Sequence, residues 1–233
     1  MPVMLSLPPA VVIGLWLNAA HSGSVSPTDA TNAIETITDQ VDLSVDDEPT
    51  GSGISSFLEL VRKACSASTP VAVGLPVDGD PAGIPNNVLV KIERSSGVVA
   101  INRDLLLFQT SDGPWALADA SNTVMHYDLS QTRRILLNQI EDSAHQLAVS
   151  DLVGDETEIA GTLDAFQTHH LPPHLSDRSI GALELAAKIV IVAGGAITNS
   201  TALHSPSIDR IRLENLELLI CESRKVLQSV VTG

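Results

Sequence analysis

The stretch VGLPVDGDPAGIP, residues 73–85, holds the side chains whose type and spacing come nearest to chemistry. Asp78, Asp80 and Gly83 fall at the first, third and sixth positions of a calcium loop, which carry acids and an invariant glycine. The fifth position is Ala82 and the twelfth is Leu89, so too few oxygens remain to surround a cation. A phosphate cradle fails as well. No Gly-Lys-Ser/Thr is present, and two carboxylates would oppose the ligand. Asp-Gly and Pro-Ala-Gly are strong turn formers, Gly supplying positive φ and Pro fixing its own. A rigid turn after a strand is the expectation, with a ligand-binding loop at Asp78, Asp80 and Gly83 as the alternative. Asp104, Asp112 and His126 would join that alternative if they converged on one pocket.

A second group is HHLPPH, with His169, His170 and His174, and Asp177 just beyond. Neutral imidazoles and a carboxylate suit zinc. Pro172 and Pro173, however, break the helix that would align His170 with His174, and no Cys or Glu stands in register to finish a site. The expectation is a solvated connector, with no metal and no cofactor. Nucleophilic chemistry has no pattern either: HSGSVS and TGSGISS place Ser beside Gly, but there is no Gly-x-Ser-x-Gly elbow. Gly194-Gly195 ends an apolar run without Gly-x-Gly-x-x-Gly, which reads as a helix C-cap. Sequence therefore assigns no catalytic residue.

Charge narrows the partners. The net charge is −15 over 233 residues, unevenly placed. Residues 1–61 carry no Lys or Arg and eight acids, from Asp29 to Glu59; residues 135–177 repeat that pattern. Elsewhere acids and bases nearly balance. Both acidic segments would repel a phosphate backbone, and aromatic residues are only 3%, leaving few platforms for stacked bases. Nucleic acid is not expected. Cys65 and Cys221 match neither a disulfide framework nor metal-ligand spacing, and are read as buried, small apolar side chains in a reducing cytoplasm.

The elements that must position these residues follow from period and punctuation. Apolar residues from Pro9 to Ala20 give a buried first helix ended by His21-Ser22-Gly23. Its competitor is a secretory signal, which wants a basic leader, whereas the first base is Arg62. Ser26-Pro27 with Asp29 opens a second helix, and Ile54, Phe57, Leu58 and Val61 stripe a third. Short apolar runs across residues 70–128 (TPVAVGLPV, VLVKIERS, GVVAINRD, LLLFQTS, PWALADAS and TVMHYDLS) predict an antiparallel meander. Ile135, Leu136, Ile140, Ala144 and Leu147 stripe a later helix, and DETEIAGTLDAFQTHH gives a shorter one. Ile180–Ala193 is apolar almost all round: a central helix, or one covered by a partner. Glu184 and Lys188 interrupt it, so no membrane span is expected. The last helix runs from Ser205-Pro206 through Ile208, Ile211, Leu216, Leu219, Ile220 and Leu227. The fold class is α+β: N-terminal helices, a small mostly antiparallel sheet in the middle, and a C-terminal helical half. The parts are residues 1–129 and 130–233, expected to pack as one unit.

LPPAVVIGLWLNAAHSG, VGLPVDGDPAGIP and LPPHLSDRSIGALELAAKIVIVAGGAITN, followed by LENLELLICESRKVL, resemble a family of uncharacterised actinobacterial proteins. In that family a Trp-Leu helix precedes a strand ending in Pro-x-Asp-Gly-Asp-Pro-x-Gly-Leu-Pro, and a Leu-Pro-Pro connector leads into two closing helices. Ile84 stands where Leu is usual, and the closing helices are less rich in Ala and Arg here. The resemblance brings no activity and no site residues. It favours a cytoplasmic fold over a secreted one. The expected function is a soluble, non-enzymatic adaptor or structural protein contacting another protein or a second copy. Its alternative is a small-ligand or cation-binding protein or enzyme working at Asp78–Pro85.

Overall fold

The computed structural model describes residues 7–38, 44–45, 56–77, 79–111, 115–119, 121, 124–149, 171–198 and 206–233. Its elements are α1 (Pro9–His21), α2 (Pro27–Ile37), β1 (Ser44–Val45), α3 (Phe57–Cys65), β2 (Ala72–Gly74), α4 (Asn86–Leu89), β3 (Val98–Ile101), β4 (Leu105–Gln109) and β5 (Trp115–Asp119). The helices α5 (Leu129–Val149), α6 (Asp177–Thr198) and α7 (Pro206–Thr232) close the chain. The class is α+β, as the periodicity predicts. The chain divides into two compact units; Leu7–His126 and Val231–Gly233 fall in one, and the described parts of α5, α6 and α7 up to Val230 in the other.

In the first unit the helices start where their side chains allow. Pro9 takes the first position of α1, where its missing N–H costs nothing. Gly23, at φ 75°, lets the chain leave that helix. Ser26 accepts from the Asp29 amide at 3.1 Å and donates to its carboxylate at 2.7 Å, fixing the start of α2. Val11, Ile13, Leu15 and Leu17 are all buried, so α1 has no wet face. In α3 the buried residues are Phe57, Leu60, Val61 and Ala64. Leu60 takes the place expected for Leu58, which is half-buried.

The sheet order is β1-β5-β4-β3-β2; β2 to β5 are antiparallel neighbours, and β1 joins β5 in parallel. Register sorts the side chains into two faces. Val73, Val99, Leu107 and Leu117 form one cross-strand row. α1 packs on this side: a Cβ added at Gly14 would lie 2.7 Å from Val73 Cγ2. The other face gathers Ala72, Val98, Ala100, Leu106, Phe108, Ala116 and Ala118 under Ile84, Val88, Ile92 and Val124. Burial on both faces explains why β3, β4 and β5 read as unbroken apolar runs rather than alternations.

Two expected strands differ. VLVKIERS begins in the single helical turn α4, and only Ile92 pairs, as an isolated bridge to Thr110. Val88 and Ile92 are apolar because they roof the sheet, not because they lie in it. Residues 124–128 of TVMHYDLS form no ladder; Val124 is buried in the same roof, while Met125 and His126 are exposed.

In the second unit, α5 and α7 run antiparallel along a polar seam. The Thr132 hydroxyl donates to Ser229 Oγ at 3.0 Å, and Ser229 donates to the Val226 carbonyl at 2.7 Å. Asn215 Nδ2 donates to Gln146 Oε1 at 2.8 Å. These pairs lie equal steps apart on the two helices, in opposite directions, so together they pin the register. The expected apolar stripe of α5 is consequently rotated. Thr132, Leu136 and Ser143 are buried, whereas Ile135 is 40% exposed. The periodicity of Ile and Leu located the helix; its inward face is set by hydroxyls and amides that find partners across the seam.

Candidate functional site

The loop that closes on Asp80 is built by its backbone. Val77 and Asp80 exchange both main-chain hydrogen bonds, 3.0 and 3.1 Å, across a tight turn containing Gly79 at φ 85°. Asp80 Oδ1 then accepts from the Ala82 amide at 2.9 Å. That bond holds Ala82 at φ 52°, a left-handed conformation an alanine adopts only under constraint, and Gly83 follows at φ 76°. The Ile84 amide closes the turn on the Pro81 carbonyl at 3.0 Å. The result drives Ala82 and Ile84 into the core. One carboxylate oxygen of Asp80 is therefore committed to folding its own loop. Asp78 lies outside the described residues.

Of the residues expected to join Asp80, Asp104 is not brought to it. The loop leaves the sheet after Gly74, which pairs with Val98 at the start of β3. Asp104 belongs to the turn between Ile101 and Leu105, at the opposite end of that strand. Asp104 and His126 are both exposed. Asp112, His169 and His170 lie outside the described residues; His174 and Asp177 are exposed. Among the described residues, no group of three or more His, Cys, Asp or Glu is placed to hold a metal ion.

Shifted ionisable groups lean away from reactivity. Lys225 Nζ pairs with Glu222 Oε1 at 2.7 Å, and that hydrogen bond raises the lysine above its ordinary pKa, keeping it a cation rather than a nucleophile. Burial pushes the Cys65 thiol up, away from thiolate. Hydrogen bonds from the Ser95 hydroxyl and amide hold Glu93 below its usual value, as a turn carboxylate. Cys65 and Cys221 are half-buried, not core residues as their spacing led us to expect.

Residues 10–105 match the family model described as Rv1486c-like protein, N-terminal domain. The family is uncharacterised, as the resemblance drawn from the sequence implies. The matched region begins within α1, includes the Asp80 turn and ends at the first residue of β4. No curated protein and no solved structure matches the chain.

What sequence reasoning missed lies in α1. Asn18 Oδ1 accepts from the Val71 amide at 2.7 Å, while its Nδ2 donates to the Val71 carbonyl at 2.9 Å and the Val231 carbonyl at 2.5 Å. His21 Nδ1 meets the Ala64 carbonyl at 3.0 Å. The available signal was an amide standing in an otherwise apolar helix.

The Asp80 turn yields a direct test. Asp80→Asn keeps the side-chain acceptor and is expected to change stability little, whereas Asp80→Ala loses the bond holding Ala82 and costs about 1 kcal/mol. Urea denaturation with and without divalent cations measures both. A cation-dependent gain in the parent that Asp80→Asn abolishes would establish the carboxylate as a ligand instead.

Proposed function

We propose that this protein acts through protein–protein contact, as a non-enzymatic adaptor or structural component in the cytoplasm. One observation carries the reading. Among the described residues, α6 is the helix long and apolar enough to cross a membrane, yet 28% of that span is buried. Apolar surface on this scale is normally covered. On α7, Ile211 and Leu218 are 46% and 49% exposed, adding apolar area to the same unit. Length and hydropathy alone would also admit a bilayer. Against it stand the Glu184–Lys188 ion pair, 2.7 Å apart within the helix, and the lack of any Trp, Tyr or Phe to anchor either end of α6.

The Pro76–Pro85 motif, which carries the finer likeness to actinobacterial proteins, is in this reading a scaffold element. It sets the roof of the sheet, and its one described carboxylate serves the turn. A photo-crosslinking side chain placed at Ile191 in the expressing cell is expected to give a protein-sized adduct that the same probe at the exposed Thr36 does not. Lipid adducts without protein adducts would sink the proposal.

A further inference from the structure

The two faces of α6 differ in a way that points to its partner. Ala182, Leu183, Ala186, Ala187 and Ala193 are buried and form its inward side. Gly181, Leu185, Lys188, Val192 and Gly195 recur at alternating steps of four and three along the outward side, the spacing of a helix-pairing seam. Both terminal glycines of this seam are exposed, and a Cβ added to either would meet nothing within 4 Å. Another helix can approach closely there. The middle of the seam is ionic: Lys188 bonds Glu184 one turn before it, and both side chains keep partial access to water.

From this we infer that the outward face of α6 pairs antiparallel with α6 of a second copy of this chain. The inference rests on the protein-contact reading above and names its partner. An acid and a base one turn apart are their own complement when the helix is turned end over end. Glu184 then faces Lys188 of the second copy, and Lys188 faces its Glu184. The same two-fold lays Ile191 over the bare Gly181 of the other helix, a large side chain against a gap. Charge on the pairing helix itself does not oppose self-association. The chain carries −15, but α6 holds two bases, Arg178 and Lys188, against two acids, Asp177 and Glu184, so the two paired helices bring no net charge together. A basic partner would be drawn to the acidic segments instead.

Light scattering on the full chain at micromolar concentration is expected to give twice the 24.5 kDa chain mass. Lys188→Glu sets acid against acid and should raise the dissociation constant at least tenfold. The double variant Glu184→Lys with Lys188→Glu reverses the pair but keeps its self-complementarity, so it should restore the dimer. Circular dichroism confirms that each variant folds. With Cys65 and Cys221 replaced, Leu185→Cys, near the two-fold, is expected to form an intermolecular disulfide. Ile191→Cys, far from its symmetry mate, is not. Crosslinking at both positions would indicate parallel helices and overturn the inference, as would co-flotation with vesicles in place of dimerisation. A monomer that still gives heterologous protein adducts at Ile191 would refute the second copy and leave the contact reading standing. A monomer with no protein adduct would end both.

Discussion

Asn18→Ala is expected to cost on the order of 3 kcal/mol in urea denaturation, and Asn18→Asp more. The wild-type amide satisfies three main-chain groups, the Val71 N–H, the Val71 C=O and the Val231 C=O. Val71 enters strand β2, and Val231 carries one of the last carbonyls of α7, which have no partner within their own helix. Truncation leaves a part-buried donor and two part-buried acceptors unpaired, and each such group costs about 1–3 kcal/mol where water cannot fully replace the partner. Aspartate is worse by sign. It can still accept from the Val71 amide, but it directs a carboxylate oxygen at two carbonyls and donates nothing. A loss for Ala with almost none for Asp, which has nearly the same volume, would show that the side chain acts by filling space. A loss below about 0.5 kcal/mol for both would show that it does not hold β2 in place.

Element type was legible where a local cause decides it. Ser26-Pro27-Asp29 contains both the cap and its acceptor, and α2 starts there. The apolar runs at Val98–Ile101, Leu105–Gln109 and Trp115–Asp119 became neighbouring strands because short connections leave antiparallel pairing as the simple outcome. Legibility failed where the cause is distant. Val88 and Ile92 carry strand-like side chains, but the face they cover is made by β2 to β5. The inward face of α5 is set by Ser229 and Asn215, far along the chain, and the polar groups meeting them look like surface in a hydropathy pattern.

The candidate site was legible as a turn and illegible as a site for one physical reason. Asp-Gly and Pro-Ala-Gly state their backbone preferences locally, and the left-handed Ala82 and Gly83 express them. Whether carboxylates converge depends on which end of the sheet each connection occupies. The register of β2 against β3 puts the Asp80 loop and Asp104 at opposite ends, and no local pattern encodes that.

Gly97→Ala is expected to cost about 3 kcal/mol, against about 1 kcal/mol for Gly23→Ala. Both glycines sit in the left-handed region, at φ 74° and 75°, so both substitutions carry the penalty of placing a Cβ there, roughly 1–2 kcal/mol. They differ in what the new carbon meets. At Gly23 nothing lies within 4 Å. At Gly97 the Cβ would stand 2.5 Å from Leu75 Cδ2, 3.1 Å from the Gly74 carbonyl oxygen and 3.2 Å from Ala10 Cβ. Leu75 can rotate. The Gly74 oxygen cannot, because Gly74 pairs with Val98, and Ala10 is tied by its amide to the Ser96 carbonyl at 3.0 Å. Three elements, α1, β2 and the start of β3, therefore close on one residue without a side chain, and overpacking there adds about 1–3 kcal/mol. Equal costs at the two positions would mean that backbone strain alone sets the penalty and that α1 is free to shift off the sheet. The expected difference means that it is not.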